Sequence, residues 1–174
     1  MIFEENYLKS VLFEFHRYKA LGDKTFKQLS TDDIYWRNNP SDNSIAILTK
    51  HLVGNMLSRW TNFLVEDGEK EWRNRDTEFE APYNSKKEMI VAWEKGWNCL
   101  FQAINSISSS NFNSKIKIRN EEHTLVEAIN RQLAHYASHV GQIVFLGKMI
   151  KGNQWTSLSI PKDGSADFNK KMFK

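Results

Sequence analysis

At 174 residues the chain fits one domain, residues 1–174, and can bury a core without disulfide or metal staples. The net charge is only +3, from 24 basic against 21 acidic residues with the signs interspersed, which excludes the clustered basic face of a nucleic-acid binder. No apolar run approaches the ~20 residues of a membrane span, and the acidic start Met1-Ile-Phe-Glu-Glu-Asn lacks a secretory n-region. Cys99 stands alone, so no internal disulfide is possible; it reads as a small buried or half-buried hydrophobe of a cytoplasmic protein.

In chain order, residues from about Glu4 to Leu29 predict a helix, because Leu8, Val11, Leu12, Phe15 and Tyr18 recur at spacings of three and four. The polar stretch Ser30-Thr-Asp-Asp33, then Trp36 and the turn cluster Asn38-Asn-Pro-Ser-Asp-Asn43, interrupt it. A second helix is expected from about Ser44 to Val65, with Leu48, Leu52, Met56 and Phe63 as its stripe. Residues 66–84 exceed what a helix connection requires. This charged loop carries Trp72 and Phe79, which could cover a site as readily as lie in solvent. A capping box, Ser85-Lys-Lys-Glu88, opens a third helix through Met89, Trp93, Trp97, Leu100, Ile104 and Ile107, and Ser108-Ser-Ser-Asn111 closes it.

Lys115-Ile-Lys-Ile-Arg119 alternates at period two, as Glu121-Glu-His-Thr124 does more weakly, with Asn120 between them; a small β-hairpin is expected here. A second capping box, Thr124-Leu-Val-Glu127, begins a fourth helix that runs to about Lys151. A tail follows from Gly152, with Trp155 and Ser157-Leu-Ser-Ile-Pro-Lys-Asp-Gly-Ser165. Four long amphipathic helices with little strand predict an all-α fold, a four-helix bundle with the hairpin between helices three and four.

The chemistry concentrates on Leu133-Ala-His-Tyr-Ala-Ser-His-Val-Gly-Gln142. His135 and His139 stand at i and i+4, one above the other on a helix face. At about 100° per residue that face also carries Leu125, Ala128, Ile143, Leu146 and Ile150, so the imidazoles point with the buried stripe. Burying two polar rings is costly unless something satisfies them, and a divalent metal with a third ligand would do so. His51, in Leu48-Thr-Lys-His-Leu-Val-Gly-Asn55, shares the inward face of the second helix and is the candidate third ligand. Three imidazoles leave the open positions of a catalytic site, whereas a structural zinc is closed by four protein ligands.

His16 reads as a surface or packing residue, and His123 as a turn residue before the fourth helix. A di-iron bundle is rejected because inward Glu residues and Glu-x-x-His motifs are missing. No phosphate-binding Gly-rich loop and no Gly-x-Ser-x-Gly elbow is present. Asn55 and Arg59 follow His51 at i+4 and i+8; Arg131 and Gln132 precede His135, and Gln142 follows His139. Asn55, Arg59 and Arg131 are the candidate substrate contacts, the arginines suited to a carboxylate, with an edge salt bridge as the alternative for each arginine. With antiparallel second and fourth helices the site should lie toward the loops after helices one and three, near Trp36, Asn38–Asn43 and Lys115–His123.

A His in the second helix and H-x-x-x-H in the fourth resembles the DinB/YfiT-like superfamily of metal-dependent proteins, over nearly the whole chain. The stretches Lys50-His-Leu-Val-Gly-Asn-Met-Leu-Ser-Arg-Trp60, Asp67-Gly-Glu-Lys70, Arg75-Asp76 and Leu158-Ser-Ile-Pro161 look like an uncharacterised bacterial branch of it. The resemblance implies a bundle holding a divalent transition metal, Zn or Ni foremost, on His51, His135 and His139. It further implies an S-transferase that uses a low-molecular-weight thiol such as bacillithiol on a small electrophilic substrate, in a homodimer. A coordinated thiol is deprotonated, and thiolate is the nucleophile. The same ion could instead activate water in a metal-dependent hydrolase. A non-enzymatic metal-binding stress-response protein is the third reading.

Overall fold

The computed structural model describes residues 3–80 and 83–173 and is mostly helical. The order is α1 (Phe3–Gln28), α2 (Ile45–Trp60), α3 (Lys86–Asn105), strands β1 (Lys115–Ile118) and β2 (Glu121–Thr124), α4 (Leu125–Lys151) and a short α5 (Ser165–Met172). Single 3-10 turns occupy Asp33–Tyr35, Asp76–Phe79 and Gly152–Gln154.

α2 is the central element. Ser44 caps it, its hydroxyl accepting from the Ile47 N–H at 3.3 Å. α3, α4 and both of the first two 3-10 turns pack around it, which buries polar Thr49, His51, Asn55, Ser58 and Arg59 along with its apolar stripe. α1 packs chiefly on α4, and α3 on α2. Between them lies an aromatic core in which Phe15, Phe26, Trp93, Trp97 and Tyr136 meet ring to ring at centroid distances of 5.2–6.4 Å. Two of its polar handles are satisfied internally. Trp93 Nε1 donates to Asp23 at 2.7 Å, and Trp60 Nε1 donates to the Tyr136 hydroxyl, which donates in turn to Asn55 Oδ1.

The predicted helices form, with differences at their ends. α2 stops at Trp60, five residues short of Val65. Asn62 takes a left-handed backbone (φ 48°), and its carbonyl accepts the N–H groups of Val65 and Glu66, so the chain turns there. Phe63 is buried all the same, from the turn rather than the helix stripe. α3 ends at Asn105, with Ile107 buried in the turn beyond it. Only half of the Ser85 capping box closes: the hydroxyl accepts from Glu88 N–H, but the Glu88 carboxylate accepts from the backbone of Asn84. The Thr124–Glu127 box closes in both directions.

The hairpin is antiparallel, with Ile116 opposite His123. Arg119 and Asn120 both have positive φ, 54° and 62°, as a two-residue turn that follows strand twist requires. His123 therefore belongs to a strand and not to a turn. The ladder continues its alternation to a buried residue at Ile116 and Ile118, which places that face on the core.

Loop 66–84 is fastened at both ends of its first segment. Ser58 Oγ donates to the Gly68 carbonyl and accepts from Lys70 N–H; Gly68 N–H donates to the Lys117 carbonyl. Asp67 accepts from the backbone N–H groups of Glu69, Arg119 and Asn120 at 2.7–2.8 Å. The tail is fastened too, since Gln28 exchanges two hydrogen bonds with the backbone of Thr156 and Trp155 packs over Gly147. α5, within that tail, buries none of its residues. Among the described residues no helix is long and apolar enough to cross a membrane.

Gly22 of α1 lies against the Trp93 indole of α3. A Cβ there would stand 2.5 Å from Trp93 Cζ2. Alanine improves helix propensity by ~1 kcal/mol, but forcing Trp93 out of its place costs ~1–3 kcal/mol. Gly22→Ala should therefore destabilise, with a lower urea midpoint; an unchanged or raised midpoint would show that the indole yields without strain.

Candidate functional site

Each predicted histidine is placed by helical spacing. α2 presents His51, Asn55 and Arg59 at intervals of four; α4, running antiparallel beside it, presents Arg131, His135 and His139 at the same interval. The three imidazoles converge. One nitrogen of each lies within 4.8 Å of the others, and His51 Nε2 is 3.2 Å from His135 Nε2. His51 is buried, and the other two are half-buried.

His51 is held from behind. Glu78 Oε2 accepts from its Nδ1 at 2.8 Å, which fixes the tautomer and leaves Nε2 to face His135 and His139. Arg73 in turn grips Glu78 with two N–H groups, Nε to Oε1 at 2.8 Å and Nη2 to Oε2 at 3.1 Å. Burial works to raise the Glu78 pKa, but the hydrogen bonds from His51 and Arg73 outweigh it and hold the carboxyl below its ordinary value. The carboxylate reaches this position because residue 54 is glycine. A Cβ on Gly54 would collide with Glu78 Oε1. Phe79 lies over His51, with ring centroids 5.0 Å apart. The Phe79 half of the expected cover is thus in place, whereas Trp72 is exposed.

His135 is pushed down to about 3, first by burial and then by the like charges that His139, His51, Arg73 and Arg59 would set against it. Burial also lowers His139, partly countered by Gln142, which lies 3.2 Å from its Nδ1. Both rings are therefore neutral near pH 7, the form that binds a metal. The fit to one ion is close. Two ligand nitrogens at ~2.1 Å from a common ion are at most ~4.2 Å apart, so the widest spacing here closes by a small ring adjustment. Without an ion, one of the two facing Nε2 atoms of His51 and His135 must carry a proton; a cation takes that proton's place.

The other predicted contacts divide. Asn55, Arg59 and Arg131 all line a cavity of about 280 Å³ that opens on His51 and His135. Asn55 also accepts from Tyr136, so its carbonyl is committed to the core. Arg73, Arg75 and Arg119 line the same cavity; Arg119 comes from the Lys115–His123 segment expected near the site, while Arg73 and Arg75 were not expected there. Those two come from loop 66–84, where an arginine looks like any solvated charge; the run Arg73 to Glu78 inside an overlong loop was the available signal. Trp36, Asn38 and Asn43 do not reach this cavity. They line a separate apolar cleft with Leu48, Gln142, Phe145, Leu146 and Met149. His16 stacks on Phe101, with centroids 4.0 Å apart, in the packing role expected of it. Cys99 is half-buried beside Thr61.

A mostly helical chain that gathers three imidazoles from two helices against a cavity rich in guanidinium groups defines the class of protein at hand. The chain belongs to the family described as protein of unknown function DUF1572, which matches residues 3–164. No curated protein matches the chain.

The depressed imidazoles make stability depend on pH. In the unfolded chain His135 titrates near 6.5, and in the fold near 3. Between those values the unfolded state binds more protons, so stability falls as the pH drops below 6.5. Metal-free protein should show a falling thermal midpoint between pH 6.5 and 5, above the range where carboxylates contribute. His135→Gln should flatten that slope. An equal slope in the two proteins would mean that His135 is not held neutral.

Proposed function

We propose that this chain is a metal-dependent enzyme whose divalent ion, Zn or Ni foremost, is held by His51, His135 and His139. The observation that carries the reading is the convergence of three imidazole nitrogens from α2 and α4 within 4.8 Å, with Glu78 behind His51. Metal-bound histidines ordinarily donate their second N–H to such a carboxylate. The four long helices fit the four-helix bundle of the DinB/YfiT-like superfamily, and that likeness extends the reading to a cytoplasmic homodimer.

The reaction proposed is transfer of a low-molecular-weight thiol, such as bacillithiol, to a small electrophile. A bound divalent ion supplies Lewis acidity that keeps a coordinated thiol deprotonated. The sulfur forms a bond to the electrophilic carbon; the carbon–leaving-group bond breaks, and its electron pair leaves with that group. The thiol proton is released to solvent. Glu78 and Arg73 keep His51 in the tautomer that turns Nε2 inward. Arg59 and Arg131 hold a carboxylate of the thiol or substrate, and Asn55 lines the approach beside them. Phe79 keeps water off the outer face of His51.

Elemental analysis of protein purified without a histidine tag should find about one divalent ion per chain, the content expected of one three-histidine site. His135→Ala should lose most of it. Metal-loaded protein should then conjugate thiols to small electrophiles. Ester or amide hydrolysis without added thiol would replace this reading with a metal-dependent hydrolase. Metal binding with neither activity would leave a metal-binding stress-response protein, and a metal content unchanged in His135→Ala would remove the centre itself.

The helices bury enough apolar surface to fold without the ion. Removing the metal should leave far-ultraviolet circular dichroism intact and lower the melting temperature by a few degrees, on the order of what ~1 kcal/mol gives at this size. Loss of helicity on metal removal would reverse that order of contributions.

A further inference from the structure

Beyond the imidazoles the cavity is walled by guanidinium groups. Arg59, Arg73, Arg75, Arg119 and Arg131 border one space of about 280 Å³, roughly the volume of nine waters. Three carboxylates stand among them. Glu78 is engaged by Arg73 and His51. Glu69 is divided between Arg119 at 3.2 Å, Arg73 at 3.6 Å and Arg59 at 3.9 Å. Asp67 accepts three backbone N–H groups. Five arginines against three carboxylates leave two formal positive charges in excess, with Arg75, Arg119 and Arg131 exposed to solvent and the side chains of Arg59 and Arg73 buried.

The Arg59 side chain is only 5% exposed: Nε and Nη1 are sealed without a hydrogen-bond partner, Nη1 against Gly68, and Nη2, with Glu69 no nearer than 3.9 Å, is the nitrogen left open to the cavity. An unpaired buried guanidinium is costly to desolvate, and a protein retains one where another group completes it. The surrounding backbone is shaped to admit it: a Cβ on Gly68 would stand 2.9 Å from both Arg59 Cδ and Nη1. Arg131 lines the same space from α4 and makes no ion pair among the described residues. Arg131 offers planar, paired N–H donors, the geometry that matches carboxylate and phosphate oxygens two at a time, and Arg59 adds the N–H groups of Nη2.

We propose that this cavity is a binding site for a small organic dianion, a dicarboxylate or a phosphate monoester, held chiefly by Arg59 and Arg131 with Arg119 and Arg75 at its rim. A monoanion would leave one of the two excess charges uncompensated, and the volume admits a metabolite or its headgroup rather than a polymer segment. The proposal deepens the reading of His51, His135 and His139 as a metal centre, because the dianion would tether the substrate beside them; the anion site itself requires no metal.

The test is calorimetric titration of the full-length protein at fixed ionic strength with inorganic phosphate and succinate, and with acetate as the monoanion control. It is run on protein as purified and again after metal removal and dialysis free of chelator, since chelators are themselves polyanions. One dianion should bind per chain at least ~10-fold tighter than acetate, the ratio that one additional charge-assisted hydrogen bond supplies. Arg131→Gln and Arg119→Gln, both at exposed positions, should weaken it with circular dichroism and metal content unchanged, Arg131→Gln the more. Preference for phosphate identifies a phosphoryl group on the ligand, and preference for succinate a dicarboxylate. Dianions no tighter than acetate, or binding unaltered by Arg131→Gln, would overturn the proposal. Dianion binding in a protein that takes up no metal would overturn the metal centre and leave the anion site standing.

Discussion

The Glu78 carboxylate is the contact on which the site depends. It sits between a guanidinium fork and an imidazole, one oxygen facing Arg73 Nε and the other shared by Arg73 Nη2 and His51 Nδ1. An acid at this depth would ordinarily favour its neutral form, and three hydrogen bonds hold it ionised instead. Its charge sets the His51 tautomer, which decides whether Nε2 has a lone pair to offer. The contact rests on an absence in α2. Glycine in a helix interior costs about 1 kcal/mol relative to alanine, and Gly54 accepts that cost so that a loop carboxylate can touch the helix. Polar groups that would be liabilities separately, a buried acid, a buried base and a buried imidazole, are compatible because they meet.

This arrangement also explains why α2 is buried on almost every side. A helix with one apolar stripe normally keeps a wet face. Here the face carrying His51, Asn55 and Arg59 is covered by Glu78, Phe79 and Arg73 from the loop that follows. The loop is long because it must leave the end of α2, pass the hairpin and return to the level of His51. Its length therefore reflects a structural task, and half of its charges are in ion pairs: Lys70 with Glu66, Arg73 with Glu69 and Glu78.

What the sequence disclosed follows from helical periodicity. Residues at i, i+4 and i+8 share a face whatever the surroundings, so His51 with Asn55 and Arg59, and Arg131 with His135 and His139, could be assembled from spacing alone. The long helices and both caps at Thr124 were legible for the same local reason. The end of α2 was not, because Phe63 keeps helical spacing after the backbone has already turned at Asn62. The Lys115–His123 segment was expected near the site and brings Arg119 there, but Glu78 and Arg73 were hidden because their places depend on contacts far apart in sequence: Gly54 against Glu78, Ser58 against Gly68, Asp67 against the hairpin turn. Trp36 and its turn were expected beside the imidazoles. They line a neighbouring apolar cleft that begins at Leu48 and Gln142, one turn from His51 and His139, and continues to Phe145, Leu146 and Met149, because an apolar surface there offers the indole a better neighbour than the charged cavity.

The Asp67 junction gives the cavity a mechanical character. Through it, and through the Gly68–Lys117 bond, the loop that carries Arg73 and the hairpin that carries Arg119 are fixed to each other, while Ser58 fixes the loop to α2. Side chains drawn from three distant stretches of sequence therefore face the cavity from one braced wall. The entropy of bringing them together is settled during folding, not when a guest arrives. For the proposed dianion, a braced backbone would place selectivity in the spacing of charges around the cavity rather than in closure around the ligand.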